Sequence, residues 1–114
     1  MDDCIFCKII DGQIPSTKVY EDDRALAFLD INPQAPTHIV VIPKAHMRNI
    51  LECAAREDDL LGYLMGLVAQ LAKDQGLADK GFRVITNCGE HGAQSVEHFH
   101  IHLLGGAQLN GKMG

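Results

Sequence analysis

Glu97-His98-Phe99-His100-Ile101-His102-Leu103-Leu104 decides the reading of this chain. From His98 to Leu103 polar and apolar residues alternate strictly, which is the period of a half-buried β-strand and not of a helix. His98, His100 and His102 then share one face. Phe99, Ile101 and Leu103 share the other, where they can pack on a core. Alternate side chains stand about 6.5–7 Å apart. Imidazoles at that spacing can line a phosphate-bearing ligand, because neutral imidazole attacks phosphorus and imidazolium donates to phosphate oxygens. The same rings could instead bind zinc. Three surface histidines on a half-buried strand is the plainer reading. The whole chain has six histidines, so three in strict alternation favour a functional site.

Working outward, residues 89–95 form a loop with Gly89 and Gly92, and Gly105-Gly106 closes the strand on its other side. Residues 82–87 read as a further strand. Residues 56–75 place Leu60, Leu64, Leu67, Val68 and Leu71 at helical spacing, with Glu57, Asp58 and Asp59 in the first turn and Gly76 as the stop. Residues 38–42 are a β-branched run stopped by Pro43. Asn32-Pro33-Gln34-Ala35-Pro36 is a stiff loop, with Asp30 at its entrance. Residues 17–21 and 25–30 read as strands around the turn Asp22-Asp23-Arg24, and residues 4–10 as a short helix with Asp3 as N-cap. Five strands and one long helix between the third and fourth make an α+β domain over residues 1–114. The short early connections favour antiparallel pairing.

The chain has 114 residues and a formal net charge of −5. That balance argues against broad binding of nucleic acid or an anionic membrane, so any phosphate must be held by local N–H groups and histidines. The start Met1-Asp2-Asp3-Cys4 is acidic and no apolar run is long enough to span a bilayer, so a cytoplasmic location is expected.

Cys4-Ile5-Phe6-Cys7 has the Cys-x-x-Cys spacing, and two such thiolates with two histidines can hold one zinc. Buried thiols or a redox pair are the alternatives. Cys53 and Cys88 read as ordinary small residues.

Gln94 to Leu104 resembles the signature of the histidine triad superfamily, in which three histidines alternate with apolar residues. Ile5–Ile10, Ile14-Pro15, Tyr20–Asp23, Phe28–His38, Val41–Lys44 and Leu103–Gly106 extend the likeness to its Hint branch. The resemblance implies a homodimer whose five-stranded antiparallel sheets join into a ten-stranded one. It implies purine nucleotide binding, and hydrolysis of nucleoside phosphoramidates and acyl adenylates through a nucleotidyl-histidine intermediate with no catalytic cofactor. By position, His100 matches the nucleophile, held in one tautomer by the carbonyl of His98. His102 and His38 match phosphate contacts. Ser95 matches a hydroxyl near the leaving group. Asn87 matches a contact at the phosphate or ribose, and Asp30 the acceptor from the ribose hydroxyls. Ile5, Phe6, Ile9, Phe28 and Ile31 match an apolar base pocket, although these residues could equally be core. Some bacterial members hold a structural zinc on residues matching Cys4, Cys7, His46 and His98.

The chain departs from the pattern in three places. Ala93 stands where near members have Gly, Glu97 stands where members often carry an aromatic or apolar residue, and the C-terminal residues lack a Trp that some members use to reach the partner's site. Two other functions compete: a zinc-dependent hydrolase with metal on His98, His100 and His102, and a nucleotide-binding module with weak or no catalysis.

Overall fold

A computed structural model describes residues 3–114; Met1 and Asp2 of the acidic start lie outside them. The elements in chain order are α1 (Ile5–Ile10), β1 (Lys18–Glu21), β2 (Ala25–Leu29), β3 (Thr37–Pro43), α2 (Ile50–Ala54), α3 (Leu60–Asp74), β4 (Phe82–Ile85) and β5 (Ile101–Gly105). The strands form one antiparallel sheet in the order β1-β2-β3-β5-β4. The α+β expectation holds in class, strand count and pairing.

β3 is central and buried on both sides, which explains why its sequence is a continuous apolar run and does not alternate. On one face Ala27, Ile39, Val41, Phe99, Ile101 and Leu103 pack against the apolar stripe of α3. Leu64 is fully buried there, and truncating such a residue to Ala typically costs about 2–5 kcal/mol. On the other face Leu26, Phe28, Val40 and Ile42 meet Ile9 of α1, with Phe6, Ile10 and Ile14 packed beside them.

Several boundaries differ from the sequence reading, each for a local reason. The cap of α1 is Cys4 and not Asp3, because the Cys4 thiol accepts from the Cys7 N–H at 3.3 Å. The long helix begins at Leu60, so Glu57, Asp58 and Asp59 precede its first turn. Before it lies α2, which the sequence reading omits. Asn49 Oδ1 caps α2 by accepting from the N–H groups of Leu51 and Glu52 at 3.1 and 3.2 Å. Asn49-x-x-Glu52 is a capping-box spacing, so the signal was present in the chain.

The largest difference concerns the histidine segment. β5 starts at Ile101, not at residue 97. Its last pair with β3 is Ile101 with Val41, and continuing the ladder would bring Phe99 opposite Pro43, which has no N–H to give. The Phe99 N–H instead donates to Met47 O at 2.7 Å. On the β4 side the Thr86 hydroxyl donates to His100 O at 2.7 Å, replacing a ladder bond. The alternation of faces nevertheless continues through residues 98–100. Phe99 enters the α3 core, and both His98 and His100 lie against Phe6 on the opposite face.

Candidate active site and metal centre

His98 joins two groups of side chains. Its ring Nε2–H donates to Pro43 O at 2.9 Å, which leaves Nδ1 as a lone pair. Its backbone carbonyl accepts from His100 Nδ1–H at 2.7 Å. That bond fixes the His100 tautomer with the proton on Nδ1 and the lone pair on Nε2. The carbonyl contact expected of His98 is therefore present.

His100 is not presented on an open face, as alternation alone suggests. It is only 3% exposed, packed edge-on between Phe6 and His102 with ring centroids 5.1 and 5.0 Å away. Among the described residues no side-chain nitrogen or oxygen is buried without a partner, so the unpartnered Nε2 reaches the surface. Burial pushes the His100 pKa down, although the His98 carbonyl opposes this. The ring is accordingly neutral at pH 7, the form a nucleophile needs.

His102 and His38 form a relay. The Gln34 N–H donates to His38 Nδ1 at 3.0 Å, so the His38 proton sits on Nε2. From there it points to His102 Nδ1 at 2.9 Å, with Asp30 Oδ2 at 3.5 Å. His102 must then carry its own proton on Nε2, where it can donate outward. Burial, followed by the neighbouring His100 and His38, pushes the His102 pKa down to about 4. Burial also lowers the His38 pKa, partly opposed by Asp30. Both ring nitrogens of His38 are engaged within the protein, Nδ1 by the Gln34 N–H and Nε2 by His102. Asp30 does two things at once: Oδ1 caps the proline loop by accepting from the Asn32 N–H at 2.8 Å, and Oδ2 faces His38.

A cavity of about 420 Å³ opens beside this relay, and His38, His102, Gln34, Asn87 and Arg83 are among the residues lining it. Asn87 Nδ2 donates to Gly92 O at 2.7 Å and ties down the loop that leads to the histidines. Ser95 is exposed on that loop. Gln94, which the sequence reading left without a role, is its main staple. Gln94 Oε1 accepts from the Gly89 N–H at 3.0 Å, and Nε2 donates to Arg48 O and Val96 O at 2.5 and 2.9 Å. Ala93 is left-handed at φ 57°, a conformation that favours glycine.

The expected base-pocket residues divide. Ile9 and Phe28 are core, and Phe6 bridges core and His100. Ile5 and Ile31 are solvent-exposed, at 45% and 88%.

The second group is Cys4, Cys7, His46 and His98, whose four donor atoms lie within 4.8 Å of one another. Cys4 Sγ and Cys7 Sγ lie 3.3 and 3.5 Å from His98 Nδ1. His46 Nδ1 lies 3.3 Å from Cys7 Sγ and 3.1 Å from His98 Nδ1. A tetrahedral zinc with ordinary bond lengths would set sulfur–nitrogen edges at about 3.6 Å and nitrogen–nitrogen edges at about 3.3 Å. The residues therefore fit such an ion in donor type and spacing. His98, His100 and His102 do not converge on one point: His98 turns to the cysteines, whereas His102 groups with His38 and Asp30. That division disfavours a catalytic metal on the triad.

A HIT domain model matches residues 11–109. The chain is 53% identical over 108 residues to a 14 kDa zinc-binding protein of Zea mays, covering 93% of this chain and 84% of that protein. It is 44% identical over 108 residues to the purine nucleoside phosphoramidase of Escherichia coli strain K12, covering 95% and 91%. The crystal structure of a histidine triad protein from Clostridium difficile superposes with a TM-score of 0.92 at 49% identity, covering 98% of this chain and 97% of that one. No helix among the described residues is long and apolar enough to cross a membrane. Fold, motif and whole-length likeness agree, and the chain belongs to the HIT domain family.

Proposed function

We propose that this protein is a nucleoside phosphoramidase that cleaves P–N bonds of purine nucleoside 5′-monophosphate derivatives, and acyl adenylates, through His100. The observation that carries this reading is the 2.7 Å bond from His100 Nδ1–H to His98 O, which leaves Nε2 free beside the relay. Similarity to the E. coli phosphoramidase supports the substrate class.

In the first step the Nε2 lone pair attacks the α-phosphorus. A P–N bond to His100 forms as the substrate's own P–N bond breaks, and the amine departs with a proton from solvent. Water then attacks phosphorus and releases the nucleoside monophosphate, and His100 returns neutral. His102 Nε2–H donates to a phosphate oxygen and is held in that tautomer by His38. Ser95 lies near the leaving group. Asn87 holds the loop and faces the phosphate end, and Asp30 accepts from the ribose hydroxyls. The base rests on the apolar surface of Ile5, Phe6 and Ile31, backed by Ile9 and Phe28.

We assign zinc to Cys4, Cys7, His46 and His98 as a structural ion. It would supply no chemistry to the reaction, and its place is to pin α1 to the histidine segment. The thiols suit a cytoplasmic location, where they stay reduced. β4 is an edge strand with Phe82 and Val84 exposed, and a second copy pairing there would give a ten-stranded sheet and a homodimer.

The deciding experiment is rapid quench of the protein with adenosine 5′-phosphoramidate, followed by peptide mass spectrometry. An adenylyl adduct mapped to His100 is expected. Turnover with no adduct at His100, or full activity of His100→Ala, would overturn the reading. Tight nucleoside monophosphate binding without any cleavage would favour a binding module instead.

A further inference from the structure

We propose that Cys4 and Cys7 are also an oxidation site: a peroxide-class oxidant joins them as a disulfide, expels the metal and slows the His100 reaction. This rests on the zinc reading above. Both thiols are partly exposed, whereas Cys53 is buried at 1%. They occupy the cap and third positions of α1, where helical geometry sets Cα atoms about 5 Å apart, inside the roughly 4.4–6.8 Å range a disulfide spans. Both sulfurs already converge on one atom, His98 Nδ1, at 3.3 and 3.5 Å. A side-chain rotation can bring them together without unwinding the helix.

The step balances as follows. One metal-bound thiolate attacks a peroxide oxygen, the O–O bond breaks, and sulfenic acid and one water form after protonation. The second thiolate attacks that sulfur, and the S–S bond forms as a second water leaves. Overall, two thiolates, hydrogen peroxide and two protons give one disulfide and two waters, and the divalent ion departs without its anionic ligands.

The consequence reaches His100 by two routes. Phe6, between the two cysteines, stands edge-on to both His98 and His100, at 5.9 and 5.1 Å. His98, which would lose its partner ion, carries the carbonyl that fixes the His100 tautomer. Oxidation therefore loosens both supports of the nucleophile.

The test uses the full chain carrying Cys53→Ser and Cys88→Ser, reconstituted with zinc and quantified by plasma mass spectrometry. Hydrogen peroxide is added with a chromogenic chelator present. Release of about one zinc per chain is expected, with a mass loss of about two hydrogens and a Cys4–Cys7 disulfide in peptide maps. A dithiol plus zinc should reverse all three changes and restore the nucleotidyl transfer rate. No zinc before oxidant would overturn the metal reading and this proposal together. Zinc bound at the outset but retained after the disulfide forms, or lost with no Cys4–Cys7 disulfide, would overturn this proposal alone.

Discussion

The Cys4–Cys7–His46–His98 cluster and the His100–His102–His38–Asp30 group draw on the same short segment, yet they handle protons in opposite ways. In the first, two sulfurs and two ring nitrogens converge within 4.8 Å of one another. Such an arrangement is stable only if a cation or shared protons separate the donors. In the second, a backbone group or a neighbouring ring decides where each ring's proton sits. The Gln34 N–H sets His38, His38 sets His102, and the His98 carbonyl sets His100. One group gathers lone pairs, and the other distributes hydrogen atoms. Alternate histidines can therefore serve different chemistries when their neighbours differ.

The sharpest way to break the comparison is to disable each group in turn. His100→Ala should lower phosphoramidate turnover by about 10³-fold or more with nucleotide affinity nearly unchanged, and because the ring it removes is buried and bonded to the His98 carbonyl the variant should also melt lower while remaining folded. Single-turnover kinetics beside calorimetry would check this. A loss of fold in that variant would mean the two groups are not separable.

Removing the ion, by chelation or Cys7→Ser, should act first on stability, and on turnover only indirectly through Phe6 and the His98 carbonyl. We expect a stability loss of about 3 kcal/mol and a melting temperature lower by about 10 °C. Thermal unfolding with and without chelator measures it. An unchanged melting temperature would leave the cluster without a structural role.

The relay predicts a pH effect. His102 has a folded pKa near 4 against an ordinary 6.5, so the unfolded chain binds more protons between those values. Its contribution to stability is complete above pH 6.5 and is lost as pH falls toward 4. Denaturant titrations from pH 7.5 to 4.5 should show that decline, and His102→Asn should make it shallower.

Asp30→Asn should slow turnover about tenfold while leaving the metal content intact, since Asp30 Oδ2 faces His38 and nothing in the cluster. The smallest change expected is from Ala93→Gly in the loop that feeds both groups. Ala93 pays a left-handed conformation, so glycine should stabilise the fold by roughly 0.5 kcal/mol. Gly92→Ala should do the reverse, because a Cβ there would meet the Cys88 carbonyl oxygen at 2.5 Å. Chemical denaturation of both variants would test the pair.

Much of this was legible in the chain. The stripe on α3 and the apolar run of β3 announce their elements, because burial of one or both faces must be written into side-chain type. The four donors of the metal cluster are readable as residue types. The capping signal at Asn49 and Glu52 was readable too, yet a five-residue helix carries too little periodicity to compete with it. The staple by Gln94 was not legible, because it ties its own loop, through Gly89 and Val96, to the Arg48 carbonyl 46 residues away.

The sequence by itself determined which residues face together, because strand alternation is a property of local backbone geometry and survives even where β5 gives up its ladder. Only the tertiary structure decided what each histidine does. A ring's proton goes where the nearest carbonyl, N–H or second ring places it, and for His98 and His102 those partners, the Pro43 carbonyl and the His38 ring, arrive from β3, 55 and 64 residues away along the chain.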